Sequence, residues 1–152
     1  MYHNIRKSNS NDKEAVVELV KCFHEESLSG FDLSLDNETV EELVDIISKD
    51  HLGLIVEVDG KVVGVIGCLF TGTFFNKNEK VCQELIWYIK KEYRNKALGL
   101  KLLKIVQDEC KKRDIQFIIM GYMGNLNAKI MDRFYRMNNY TIFENQFIRR
   151  VS

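Results

Sequence analysis

The 152-residue chain has no proline, no CxxC pair and no net charge at neutral pH. Lysine plus arginine and aspartate plus glutamate both number 22. The excess positive charge that drives generic nucleic-acid binding is therefore missing. Long apolar runs are missing too: Val62 to Phe70 is about half of the roughly 18 residues a membrane-spanning helix needs. Met1 to Asn4 opens without an apolar h-region, so no export signal is read there. Cys22, Cys68, Cys82 and Cys110 stand apart from one another and from His3, His24 and His51. No metal site is expected from that spacing. The cysteines read as reduced cytosolic thiols or as small buried hydrophobes, which points to a cytoplasmic protein away from the membrane. No G-x-G-x-x-G follows a strand pattern. Gly67 and Gly72 have the gap of a Walker A loop, but Thr73 stands where that loop needs its phosphate-binding lysine. The absence of proline carries no functional consequence.

What is present describes one folded domain over residues 1–152, with 45% hydrophobic and 29% charged residues. A chain of this length buries enough surface to fold without disulfides or metal. The charge is segregated. Residues 1–60 carry 5 basic and 14 acidic side chains, and residues 90–113 carry 9 basic and 3 acidic. These regions are either a cation-attracting and an anion-attracting surface or simply solvated helix faces.

Periodicity gives the elements. Residues 2–7 suit a first strand. Ala15, Val16, Leu19, Val20 and Phe23 recur at helical spacing after Asn11, and Asp36 can cap a second helix with Val40, Leu43, Val44 and Ile47 inward. From Leu54 the period becomes two. Asp59-Gly60 between apolar runs predicts a hairpin, because both turn positions need positive φ. Residues 71–80 read as a loop and Val81 to Ile89 as a strand whose run from Leu85 to Ile89 is buried on both faces. A helix follows from about Leu98 to Arg113, then a strand over Ile115 to Met120. Asn125 or Asn127 caps a last helix with Ile130, Met131, Phe134 and Met137 inward, and Asn138-Asn139 suits a left-handed stop. Tyr140 to Phe143 and Gln146 to Val151 alternate as a final hairpin. The order implies a mixed α/β sheet of six to seven strands covered by about four helices.

The segment from Trp87 to Leu103 is the most informative. It reads as a buried strand, a short cationic loop with small residues, and a helix. A helix start offers free backbone N–H groups and the positive end of the helix dipole, where a phosphate fits. Ala97 and Gly99 keep the backbone approachable, and Arg94 and Lys96 add charge. The alternative is an ordinary strand-to-helix connection with a basic surface.

Arg94-Asn-Lys-Ala97-Leu-Gly99 resembles motif A, Q/R-x-x-G-x-G/A, of the GCN5-related N-acetyltransferases (GNAT). Ala97 replaces the middle glycine, Lys91 stands where proline is frequent and Asn95 where glycine is frequent. Asp132 to Tyr140, with Tyr135 and Asn139, is similar to the family's second cofactor helix and its ending. The order of elements matches over nearly the whole chain. The resemblance implies a mixed, mostly antiparallel acyl-CoA N-acyltransferase fold and an acetyl-CoA site. The main chain of Tyr88, Ile89 and Lys90 would hold the pantetheine arm. Amides of Asn95, Lys96, Ala97, Leu98, Gly99 and Leu100, beside Arg94, would hold the pyrophosphate, and Asn127 would add a contact.

The chemistry implied needs a base for the attacking amine and an acid for the departing thiolate. Glu84, the sole acidic residue between Lys80 and Glu92, is the base candidate, or else a salt-bridged glutamate. Tyr135 is the acid candidate, or else a buried aromatic. A backbone N–H near Ile89 would polarise the carbonyl. The family's first two helices help to form the acceptor wall. Here they carry Glu25, Glu26, Asp32, Asp36, Glu38, Glu41 and Glu42, which suggests a cationic amine acceptor, with Phe31, Phe74 and Phe75 lining its cleft. Competing readings are a catalytically silent acyl-CoA-binding module and a nucleic-acid-binding protein using Lys90 to Arg113. Exposed strand edges and the terminal hairpin would support a homodimer.

Overall fold

A computed structural model describes residues 3–152; Met1 and Tyr2, where the expected first strand and the N-terminal reading begin, lie outside. The elements follow as β1 (His3–Lys7), α1 (Lys13–Ser27), α2 (Asn37–Asp50), β2 (Leu52–Val58), β3 (Lys61–Gly72), β4 (Lys80–Ile89), α3 (Lys96–Lys112), β5 (Phe117–Ile119) and α4 (Ala128–Met137). The strands lie in the order β1-β2-β3-β4-β5. All neighbours are antiparallel except β4 and β5, which the α3 crossover makes parallel.

Local signals set most boundaries. The Asp36 carboxylate accepts from the Thr39 amide at 2.8 Å and starts α2. Asp59 and Gly60 both take positive φ in the β2–β3 turn, and Asn139 at φ 64° ends the chain's last helix. The β2 and β3 strands are largely apolar on both faces because helices cover both sides of the sheet. Val16, Val17, Leu19 and Val44 from α1 and α2 pack on Ile55, Val65, Ile86 and Tyr88. Leu98, Leu102, Val106 and Cys110 of α3 pack on Leu54, Val56, Ile66, Cys82 and Ile89. Cys82 and Ile86 share strand parity yet face opposite layers. A bulge opposite Gly67 and Cys68, with Leu85 as the extra residue, reverses the alternation.

Three expectations need correction. The sheet has five strands, not six to seven, and residues 140–152 form no strand. The alternation there is real, but β5 spans only three residues and offers no buried layer for those apolar side chains, so Phe143, Phe147 and Val151 stay exposed. In α4 the side chain buried is Tyr135, whereas Ile130 and Met137 face outward, because the helix lies beyond the last short strand. Leu85 is 39% exposed, so β4 is not buried on both faces throughout.

Glu109, buried on α3, anchors β1 and the end of its own helix through Lys7 at 2.7 Å, Lys112 at 2.8 Å and Arg113 at 2.7 Å. Hydrogen bonds from Lys112 and Lys7 hold its carboxyl down at about 2. A depressed carboxylate stabilises the fold above its unfolded pKa of about 4.3 and loses that contribution as pH falls toward 2. Glu109→Gln is expected to cost about 1–3 kcal/mol at pH 7. Unfolding compared across pH should show the gap between parent and variant closing between about pH 4 and 2.

Candidate active site

β4 delivers the chain to α3 through a 3-10 turn at Lys91–Tyr93. Asn95 caps α3: its side-chain oxygen accepts from the Leu98 amide at 2.8 Å, and its carbonyl accepts from Gly99 at 3.2 Å. Leu98 and Gly99 amides are thus spent inside the chain, and Leu100 enters the helical ladder. Lys96 and Ala97, both exposed, begin the helix, where amides have no intrahelical partner. Gly99 points elsewhere. A Cβ there would meet Phe134 and Trp87 at 3.8 Å, an ordinary packing distance, so Gly99 faces the aromatic side chains between α3 and α4 and not the open first turn.

The Arg94 guanidinium does not reach toward that helix start. It grips Glu26 of α1 with two bonds of 2.8 and 3.0 Å, and its Nε donates to the Ile89 carbonyl at 2.6 Å. It also stacks over Tyr88, 5.3 Å from the ring centre. The Tyr88 hydroxyl donates to Glu26 at 3.2 Å. The Glu26 carboxyl is held below its ordinary range, first by Arg94, and Tyr88 is pushed up to about 12, first by burial.

The Lys90 amide donates to Val63 on β3. Antiparallel alternation therefore turns the Tyr88 and Lys90 main chain toward β3 and the Trp87 and Ile89 main chain away from it. That outward edge is open because β5 pairs with β4 only at Val81, Cys82 and Gln83. Beyond those pairs the strands part.

Glu84 and Tyr135 meet at this parting. The Gly121 amide donates to Glu84 Oε2 at 3.0 Å, and the Tyr135 hydroxyl donates to the Gly121 carbonyl at 2.9 Å. One peptide neighbourhood thus orients both groups. Burial pushes the Glu84 carboxyl up to about 7, against the pull of the Gly121 N–H. Burial, with Glu84 nearby, also raises the Tyr135 hydroxyl, so it keeps its proton. Trp87, Tyr122 and Tyr140 surround the Tyr135 ring.

Other residues fall elsewhere. Asn127 is exposed at the start of α4, in the left-handed region, and its side chain makes no cap. Phe74 and Phe75 are fully exposed at the β3–β4 turn and line no cleft. The acidic wall is partly consumed: Glu26 binds Arg94, Asp36 caps α2, Asp32 pairs with Arg150, and Glu41 lies 3.9 Å from Lys13. Gly121 and Trp87 were not anticipated as parts of the site. Gly121, a glycine directly after a strand pattern, was the available signal.

No curated protein matches the sequence. The fold recurs in solved structures. A possible acetyltransferase from Clostridium difficile 630 has a TM-score of 0.74 at 21% identity, covering 100% of this chain and 99% of that one. A predicted acetyltransferase with acetyl-CoA from Clostridium acetobutylicum scores 0.77 at 15% identity, covering 98% and 96%. Glucosamine-6-phosphate N-acetyltransferase from Arabidopsis thaliana scores 0.72 at 20% identity, covering 100% of both chains. The model of the acetyltransferase (GNAT) family matches residues 14–138. The chain therefore belongs to the GNAT family of acetyl-CoA-dependent N-acetyltransferases.

Proposed function

We propose that this transferase moves the acetyl group of acetyl-CoA directly to a primary amine, cationic in solution, of a small molecule or peptide. The observation that carries the reading is the Glu84–Gly121–Tyr135 arrangement at the parting of β4 and β5. The residues present fit the cosubstrate. Lys96 and Ala97 give two adjacent free amides at the positive end of a 17-residue helix, suited to a diphosphate. The outward main chain of Trp87 and Ile89 suits an amide-bearing arm. When bound, acetyl-CoA supplies an acyl carbon joined to a thiolate leaving group.

The residues have distinct tasks. Glu84 takes the proton that the ammonium must lose before its nitrogen can attack. With its carboxyl near 7, it is ionised in about half the molecules at neutral pH and the returned proton is not strongly held. The neutral nitrogen forms the N–C bond, Tyr135 gives its hydroxyl proton to the sulfur as the C–S bond breaks, and the second proton shed by the nitrogen restores the Tyr135 hydroxyl. The exposed Glu25, Glu38 and Glu42 favour approach of a cation. We take residues 1–152 as one transferase domain. Four free cysteines support a reducing, cytoplasmic setting, and no helix among the described residues is long and apolar enough to cross a membrane.

Acetyl-CoA at a hundredfold excess over its Kd is expected to stabilise the protein by about 2.7 kcal/mol. Ala97→Glu should weaken that binding at least about tenfold, while the fold is kept because a carboxylate suits a helix start. Thermal unfolding with and without acetyl-CoA reads both; stabilisation left intact by the variant would move the cosubstrate elsewhere. Stabilisation by acetyl-CoA with no CoA release for any amine would leave a silent binding module.

Turnover should rise with pH through about 7 as Glu84 ionises. Glu84→Gln should remove that rise and lower kcat by about 10²–10⁴-fold. Tyr135→Phe should keep acetyl-CoA binding and slow turnover. Full rate in Tyr135→Phe would end the acid assignment.

We further propose a homodimer joined through residues 140–152 and the open edge of β5, both of which leave strand-forming groups unpaired. Light scattering after gel filtration should give twice the 17.8 kDa chain mass. Removal of residues 141–152 should return a monomer. A parent protein that elutes as a monomer would contradict the interface.

A further inference from the structure

On the other face of β4 from α3, a cavity of about 420 Å³ opens between α1, α2 and the sheet. Its volume is in the range of sites that hold small ligands, about 300–1,000 Å³. Val20, Phe23, Val40, Leu43, Leu85 and Ile86 form its walls. Gly53 and Gly67 lie at its floor. Leu43 and Leu85 keep 38% and 39% of their surface exposed, although both belong to covered elements. The folded chain therefore leaves apolar area beside this cavity without a partner.

Two features say what belongs there. The cavity begins next to the proposed base. Leu85, the extra residue of the β4 bulge, directly follows Glu84, and Ile86 follows it. This occurs where β4 has lost β5, so the strand edge beside these two residues carries no paired strand. The lining is otherwise mostly apolar, with one carboxylate, Asp36, and one imidazole, His24, at its rim, both already hydrogen-bonded within the chain. His24 Nε2 is engaged with the Leu33 carbonyl at 2.7 Å, and the Asp36 carboxylate is held by Thr39. A polycation would find its positive body facing aliphatic walls, at a desolvation cost.

We infer that the acceptor is an amphipathic primary amine, whose nitrogen reaches Glu84 while its aliphatic or aromatic body fills the cavity between α1, α2 and β4. This rests on the amine-acetyltransferase reading and narrows it. Burying an apolar body at the distal end of the acceptor helps to place the nitrogen, because binding away from the reacting atoms reduces the freedom of those that react.

The test uses the full-length protein, saturating acetyl-CoA, and ethylamine, n-butylamine, n-hexylamine, phenethylamine and spermidine, with release of the CoA thiol as readout. We expect kcat/KM to rise about fourfold per added methylene along the alkylamines. Phenethylamine should exceed spermidine. Val40→Phe, which fills the cavity, should flatten the series while acetyl-CoA still raises the Tm. Turnover that is independent of chain length, or highest with spermidine, would overturn the apolar site and leave the transferase reading standing. A series left unchanged by Val40→Phe would also overturn it. A Tm raised by acetyl-CoA with no amine acetylated would remove the transferase reading and this inference together.

Discussion

The parting of β4 from β5 is the constraint on which the site depends. Parallel pairing lasts for three residue pairs, Val81–Phe117 to Gln83–Ile119, and then stops. A longer β5 would pair the outward main chain of Trp87 and the Ile89 amide, beside the Ile89 carbonyl that Arg94 already holds, and leave no edge for a ligand. Gly121 bridges the gap instead, donating to Glu84 and accepting from Tyr135. Two ionisable groups are thereby held at one opening, and burial keeps both away from their ordinary proton affinities. The bulge around Leu85 belongs to the same device. It reverses the side-chain parity of β4, so Cys82 packs under α3 while Ile86 faces α1 and α2.

A second interaction joins the two halves of the site. Arg94 binds Glu26, 68 residues earlier in the chain, and the carbonyl of Ile89. The corner between β4 and α3 is thereby fixed to α1, one of the two helices that border the cavity over the sheet. The charge segregation along the sequence is partly internal for this reason. A piece of the acidic first section is neutralised by the basic loop, and another by Arg150. The surface left beside the cavity is more apolar than the sequence balance suggests.

Local chemistry was legible where it acts over a few residues. The Asp36 cap, the Asp59-Gly60 turn and the Asn139 stop each depend on one side chain or one φ angle, and each formed where the sequence placed it. The strand-loop-helix unit from Trp87 to Leu103 was legible for the same reason. Long-range geometry was not. Nothing near Arg94 indicates Glu26 as its partner. A bulge has no fixed residue pattern, so the reversal at Leu85 was invisible. Ile130 and Met137 are spaced as a buried stripe, but exposure depends on whether a layer faces the helix, and beyond β5 none does. The alternating apolar residues after Tyr140 failed for the same lack of a facing layer. Gly99 fits the motif by position, yet it lies against Trp87 and Phe134.

The central claim is that the cosubstrate occupies the open edge of β4 and the first turn of α3. Amide hydrogen exchange with and without coenzyme A tests it most directly. The account predicts slowed exchange at Trp87, Ile89, Lys96 and Ala97, with little change at the β3-facing amides of Tyr88 and Lys90. Protection confined to other segments, or exchange at those four amides left unchanged, would contradict it.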